Sequence, residues 1–212
     1  MHKPELIIFD LDGTLVDAYL AIISSFNFTM QSLGYPKQNK IAICRAVGWG
    51  DKNLLKPFVK TKDLNKAVKL YRSHHRKSLR VQASLLPGVS KVLGYLKGND
   101  YKLAVASNRP TSFSWILIRS LGLDKYFQYV LCADKLKYGK PHPAILKKIL
   151  KDFSLRPKEA VYVGDMAIDA QAGRRAHVKT VIVTTGSSTK TEIRREKPFR
   201  VIRKLTYLLR ML

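Results

Sequence analysis

Leu6-Ile7-Ile8-Phe9-Asp10-Leu11-Asp12-Gly13-Thr14 is the stretch on which the fold turns. Four consecutive apolar residues without alternation predict a short strand buried on both faces, as in the middle of a parallel sheet. Two carboxylates, Asp10 and Asp12, follow at its C-terminal end. Ligands of open α/β sheets gather at such strand ends. Gly13 permits a close approach of backbone to ligand.

Beyond Gly34-Tyr35-Pro36 the chain reads differently. A helix is predicted over Ala18–Leu33, then shorter lysine-rich ones over Lys40–Val47, Asn53–Val59 and Leu64–Leu79. Gly48-Trp49-Gly50 separates the first two of these shorter ones. Little in this block has strand character, so residues 17–86 read as a small inserted helical domain.

From Leu86-Pro87-Gly88 onward, strands and helices alternate. Strands are predicted at Lys102–Ala106, Phe127–Cys132, Ala160–Val163 and Thr180–Thr184, the last of the set. Helices are predicted between them, and a terminal helix over Val201–Leu212. Alternation of this kind is the signature of a Rossmann-like α/β core, a parallel sheet covered by helices on both faces. The core would comprise residues 1–16 and 87–212.

The chain has 212 residues, with 39 Lys plus Arg against 15 Asp plus Glu, a net charge of +24. A hydrophobic fraction of 46% excludes wholesale disorder. No stretch approaches the ~18 apolar residues of a membrane span. The first ten residues include Glu5 and Asp10 and lack a signal-peptide pattern, so a soluble cytoplasmic chain, monomer or homodimer, is expected. Cys44 and Cys132 read as reduced thiols. The basic excess predicts attraction to phosphate or nucleic acid. No nucleic-acid-binding signature accompanies it, and a solvated helix face is the simpler reading. The segment 17–86 carries 13 basic and 3 acidic residues, a net +10.

Acids are scarce, yet Asp10, Asp12, Asp165 and Asp169 fall at or just after two strand ends. Carboxylates sharing a pocket repel, so they share a proton or bind a cation. Oxygen ligands of this kind suit Mg²⁺. One aspartate can then attack phosphorus while another serves as general acid and base. Ser107 and Asn108 end a further strand with donors suited to phosphate oxygens. Lys140, between Gly139 and Pro141, reads either as one more solvated lysine or as a cation that neutralises charge on a transferring phosphoryl group or stabilises the carboxylates.

The run Asp10-Leu11-Asp12-Gly13-Thr14-Leu15-Val16-Asp17 resembles the first motif of the haloacid dehalogenase-like hydrolase superfamily. Ser107-Asn108, Lys140-Pro141 and Gly164-Asp165 with Asp169 match its second, third and fourth motifs in order. The helical insertion resembles the cap of the subgroup containing phosphoglycolate phosphatase and beta-phosphoglucomutase. The resemblance implies roles. Asp10 would be the nucleophile that forms an aspartyl-phosphate, and Asp12 the acid and base. Asp10, Asp165 and the backbone carbonyl of Asp12 would hold Mg²⁺, with Asp169 orienting that shell and Lys140. Ser107 and the amide of Asn108 would bind phosphoryl oxygens.

Asp12 also separates the chain from relatives that lack a second aspartate and favours phosphatase or phosphomutase chemistry. The expected substrate is a small phosphorylated metabolite, with 2-phosphoglycolate the leading candidate. A sugar phosphomutase and a basic binding protein for nucleic acid or a protein partner are the alternatives. Arg45, Trp49 and Lys52, around the Gly48–Gly50 break, and Arg109, after the second motif, are the substrate-specificity candidates. Ala18, Arg109 and His177 depart from the common family wording. His74 and His75 are expected on a helix surface, and His142 in a loop.

Overall fold

The computed structural model describes residues 3–212. Strand β1 (Leu6–Phe9) is buried throughout. It lies between β4 (Lys102–Ser107) and β6 (Ala160–Gly164), parallel to both. Strands β5 (Tyr129–Cys132), β7 (Lys179–Val183) and β8 (Arg200–Ile202) complete a six-stranded sheet of order β5-β4-β1-β6-β7-β8. Every pairing is parallel. Strand order reverses direction around β1, which makes its C-terminal end the switch point of the sheet.

Side chains alternate across a strand, so a doubly buried strand must feed two cores. Ile7 and Phe9 join Val105 and Val163 in one cluster. That cluster is covered by α5 (Val89–Gly98) and α6 (Thr111–Ser120). Leu6 and Ile8 join Ala104 and Tyr162 in the other. This second face is covered by α7 (Ala144–Asp152) and α8 (Ala167–Ala176).

Residues 19–82 form the expected helices. These are α1 (Tyr19–Ser32), α2 (Lys40–Ala46), α3 (Asp51–Leu55) and α4 (Leu64–Gln82). Asn39 caps α2 by accepting from the amide of Ala42. Helix α4 buries Leu64, Ala67, Tyr71, His75 and Leu79 along one stripe, the 3.6-residue period of an amphipathic helix. Strands β2 (Val16–Asp17) and β3 (Ser84–Leu85) pair antiparallel where the chain leaves and re-enters this helical block.

Two expectations need correction. Thr180–Thr184 is not the last strand, and Val201–Leu212 is not a helix. After α9 (Lys190–Arg195), Arg200–Ile202 forms β8, and Leu205–Arg210 makes a short 3-10 turn. The apolar residues from Val201 to Leu212 mimic a helical period. Pairing with β7 wins because that edge would otherwise leave backbone donors and acceptors unsatisfied.

Candidate active site

Register brings the motifs together. Phe9 is level with Val105 of β4 and Val163 of β6. Asp10 is therefore one residue past that level, and Ser107 and Asp165 are two. The amide of Asp10 still donates to the Val163 carbonyl, at 2.8 Å, which holds the first carboxylate at the mouth of the sheet. Asp169 lies in the first turn of α8 and accepts from the amides of Asp165 and Met166, at 3.2 and 3.0 Å.

Lys140 enters from the loop before α7. Its Nζ reaches Asp10 Oδ1 at 2.7 Å, Asp169 Oδ1 at 2.8 Å, the Tyr162 hydroxyl at 3.0 Å and the Ala106 carbonyl at 3.1 Å. Burial disfavours its charge, but Asp10 and Asp169 override that and hold it protonated above its ordinary range. Tyr162 donates to Asp169 Oδ1, at 2.6 Å, and so closes the triangle. Burial, together with the nearby Asp169, pushes the Asp10 carboxyl up to about 6 despite Lys140. Burial, then Asp169 and Asp10, raise Asp165 well above the carboxylate range.

These shifts describe a site with more buried negative charge than one lysine balances. Carboxylate oxygens of Asp10, Asp165 and Asp169 lie within 4.8 Å of one another. Asp165 Oδ1 accepts from Thr14, at 3.1 Å, while its buried Oδ2 has no hydrogen-bond partner. Gly13 (φ +75°) and Gly186 pack so closely on Asp165 that any side chain there would strike its carboxylate. An orphaned buried oxygen in a cluster of hard carboxylate donors is the arrangement a divalent cation such as Mg²⁺ satisfies.

Asp12 is placed differently from Asp10. Its carboxylate turns away from the cluster and is held at both oxygens by Arg109, with Nε at 2.7 Å and Nη2 at 2.6 Å. Of the expected metal donors, Asp12 could contribute only its backbone. Asp169, expected to act one shell further out, sits among the clustered carboxylates.

Ser107 Oγ accepts from the Arg109 amide, at 3.1 Å. The Asn108 side chain is committed as a brace. It donates to the carbonyls of Gly48 and Lys140, at 2.8 and 2.9 Å, and accepts from the Lys140 amide, at 2.8 Å. It therefore ties the lysine loop to the break between α2 and α3, and only its backbone amide is left for a ligand.

Around these groups lies a cavity of about 60 Å³, walled by Asp10, Asp12, Ser107, Arg109, Lys140 and apolar residues of the helical block including Ile22 and Leu54. Of the specificity candidates, Arg109 lines it. Arg45, Trp49 and Lys52 do not. Arg45 is paired instead with Glu192 of α9, at 2.6 Å, and borders a separate shallow cleft with Trp49. Lys52 is exposed. Arg45 on α2 and Lys52 on α3 point away from it, and Trp49 lies in the bend between them, where Gly48 and Gly50 line the cavity in its place.

His75 was not foreseen here. It is buried rather than exposed, and its Nε2 meets Arg109 Nη1 at 2.9 Å. Its place on the buried stripe of α4, one turn after Tyr71, was the available signal.

The fold and site together define a hydrolase with a Rossmann-like core and an aspartate-centred pocket at the switch point of its sheet. The chain belongs to the haloacid dehalogenase-like hydrolase family, whose model matches residues 7–183. It is 30% identical over 210 residues to a phosphoglycolate phosphatase of Nitrosococcus oceani, covering 95% of this chain and 93% of that protein. A phosphoglycolate phosphatase of Aquifex aeolicus is 32% identical over 181 residues, covering 85% of each. The crystal structure of a predicted phosphoglycolate phosphatase from Haemophilus somnus superposes with a TM-score of 0.93 at 26% identity. That match covers 100% of this chain and 99% of the other.

Proposed function

We propose that this hydrolase is a Mg²⁺-dependent phosphatase of small phosphorylated metabolites, with 2-phosphoglycolate the leading substrate. The observation that carries the reading is Asp10, held at the sheet's switch point between Lys140 and a carboxylate cluster. Mg²⁺ held by Asp10, Asp165 and the Asp12 carbonyl would supply positive charge beside the phosphoryl group.

Lys140 engages Asp10 Oδ1, so Oδ2 is the oxygen that meets phosphorus. As the Oδ2–P bond forms, the bond from phosphorus to the leaving oxygen breaks, and Asp12, freed from Arg109 and carrying a proton taken up from solvent, gives that oxygen the proton. Asp12 then takes a proton from water. The resulting hydroxide attacks phosphorus, and the Oδ2–P bond breaks to release inorganic phosphate. Ser107 and the Asn108 amide bind phosphoryl oxygens throughout. Lys140 spreads its charge between Asp10 and the departing phosphate.

The helical block, residues 17–86, acts as a cap that excludes water from the pocket. Among the described residues no helix is long and apolar enough to cross a membrane. Two free thiols, Cys44 and Cys132, accord with a cytoplasmic setting.

Purified protein should hydrolyse 2-phosphoglycolate and p-nitrophenyl phosphate with Mg²⁺, and EDTA should stop turnover. Asp10→Asn should lower kcat by at least about 10³ while circular dichroism stays unchanged. Turnover close to wild type in that variant would remove Asp10 as the nucleophile.

A further inference from the structure

Among the described residues, Arg109 is the one cation in the cavity besides Lys140, and Lys140 is committed to Asp10 and Asp169. Its guanidinium is buried and spans two parts of the fold. On the core side Nε and Nη2 hold Asp12. On the helical side Nη1 meets His75 Nε2. A guanidinium only donates, so His75 Nε2 must be the bare, accepting nitrogen. The proton then sits on Nδ1, which donates to Ser25 Oγ at 3.1 Å. Ser25 Oγ in turn donates to the Ala21 carbonyl, at 2.7 Å. Burial and the adjacent Arg109 keep this imidazole neutral. His75 is therefore a fixed acceptor that aims Arg109 from α4, anchored through Ser25 to α1.

Three of the five N–H groups of Arg109 are engaged. Among the described residues, the second N–H on Nη1 and on Nη2 has no hydrogen-bond partner. A planar fork on the side of the pocket away from Lys140, next to Tyr71 and the apolar side chains of the helical block, is suited to a carboxylate. While both Asp12 oxygens are on Arg109, neither can reach a leaving oxygen. An anionic leaving group would compete for the same guanidinium and release Asp12 toward the bond being broken.

We infer that Arg109, aimed by His75 from the helical cap, selects substrates whose leaving group carries a carboxylate and exchanges Asp12 for it. This rests on the phosphatase reading and extends it to substrate class.

The test compares 2-phosphoglycolate with 2-hydroxyethyl phosphate, which has the same length and no carboxylate. The full chain with Mg²⁺ should prefer phosphoglycolate in kcat/KM by at least roughly 10²-fold. Arg109→Lys and Arg109→Met should each reduce that preference at least tenfold, mainly through KM for phosphoglycolate. His75→Phe should do the same, while His75→Gln, which keeps an acceptor near the Nε2 position, should restore most of it.

Calorimetry in an Asp10→Asn background gives a second readout, since the intact ester can be titrated. Arg109→Lys should weaken phosphoglycolate there and leave the affinity ratio to hydroxyethyl phosphate near one. A preference ratio unchanged in Arg109→Lys or Arg109→Met would overturn the inference, as would equal behaviour of His75→Phe and His75→Gln. Wild-type protein that hydrolyses both esters equally overturns it while leaving the phosphatase reading intact. Failure to hydrolyse either ester, or p-nitrophenyl phosphate, would instead overturn that reading and the inference with it.

Discussion

Asp165 places a buried carboxylate where the protein alone does not balance it. Its Oδ2 is unpartnered, and burial with two neighbouring aspartates raises its affinity for a proton. An acid whose folded pKa is raised costs stability once pH exceeds that of the unfolded chain. Asp165→Asn should therefore raise the melting temperature of metal-free protein by a few degrees at neutral pH. Mg²⁺ should raise the melting temperature of the wild type by mass action, and this rise should shrink sharply in the variant. Scanning calorimetry with EDTA and with Mg²⁺ separates the two effects. A variant that is less stable without metal, with an undiminished Mg²⁺ rise, would contradict the assignment. The carboxylates themselves are legible in the sequence, because each motif sits a residue or two past a strand and parallel strands end together. The partners that set their state are not. Tyr162 lies inside a strand, and Arg109 meets His75 across 34 residues of chain.

Helix α4 carries both a surface and a site. Its exposed side is basic, and its buried stripe runs Leu64, Ala67, Tyr71, His75 and Leu79. Reading the lysines and arginines leads to a solvated helix. Following the apolar stripe places His75 inside, one turn from Tyr71, and His74 only partly so. The burial has a consequence for acid stability. His75 takes a proton near 6.5 when free, but in the fold burial, then Arg109, push it down to about 2. Between these values the unfolded chain binds more protons, so stability falls as pH drops below 6.5. The loss should be about 2 kcal/mol on going from pH 7.5 to 5. Urea midpoints at both pH values should show a smaller drop for His75→Gln. An identical drop would assign the acid sensitivity elsewhere. Near the C-terminus the sequence reading failed for a related reason. The apolar spacing from Val201 suits a helix, and only the open edge of β7 turns Arg200–Ile202 into a strand.

At the scale of the whole molecule, a charge of +24 surrounds an acidic pocket. The field should draw anionic esters toward the site and be screened by salt. Raising NaCl from 20 to 300 mM should lower kcat/KM, more steeply for phosphoglycolate than for the less charged p-nitrophenyl phosphate. The kcat values should change little. Equal slopes for the two esters would mean that capture does not depend on this field. The segment 17–86, at net +10, lies beside the pocket, and Arg45 of α2 meets Glu192 of α9 at a separate cleft. That pair is exposed, so its weight lies in orientation and salt response more than in stability.

The sequence alone determined the parallel sheet, the run of helices between β2 and β3 and the catalytic class. Continuous apolar runs, turn residues and carboxylates at strand ends are local properties that survive without a partner in view. Only the tertiary structure decided which of the candidate cations lines the cavity. Arg45, Lys52 and Arg109 are chemically alike as letters. Arg109 alone of the three is buried in the cavity, because it follows the end of β4 and His75 of α4 offers it an acceptor there. Such a choice depends on desolvation and on a hydrogen bond between distant segments, and neither is written in local spacing.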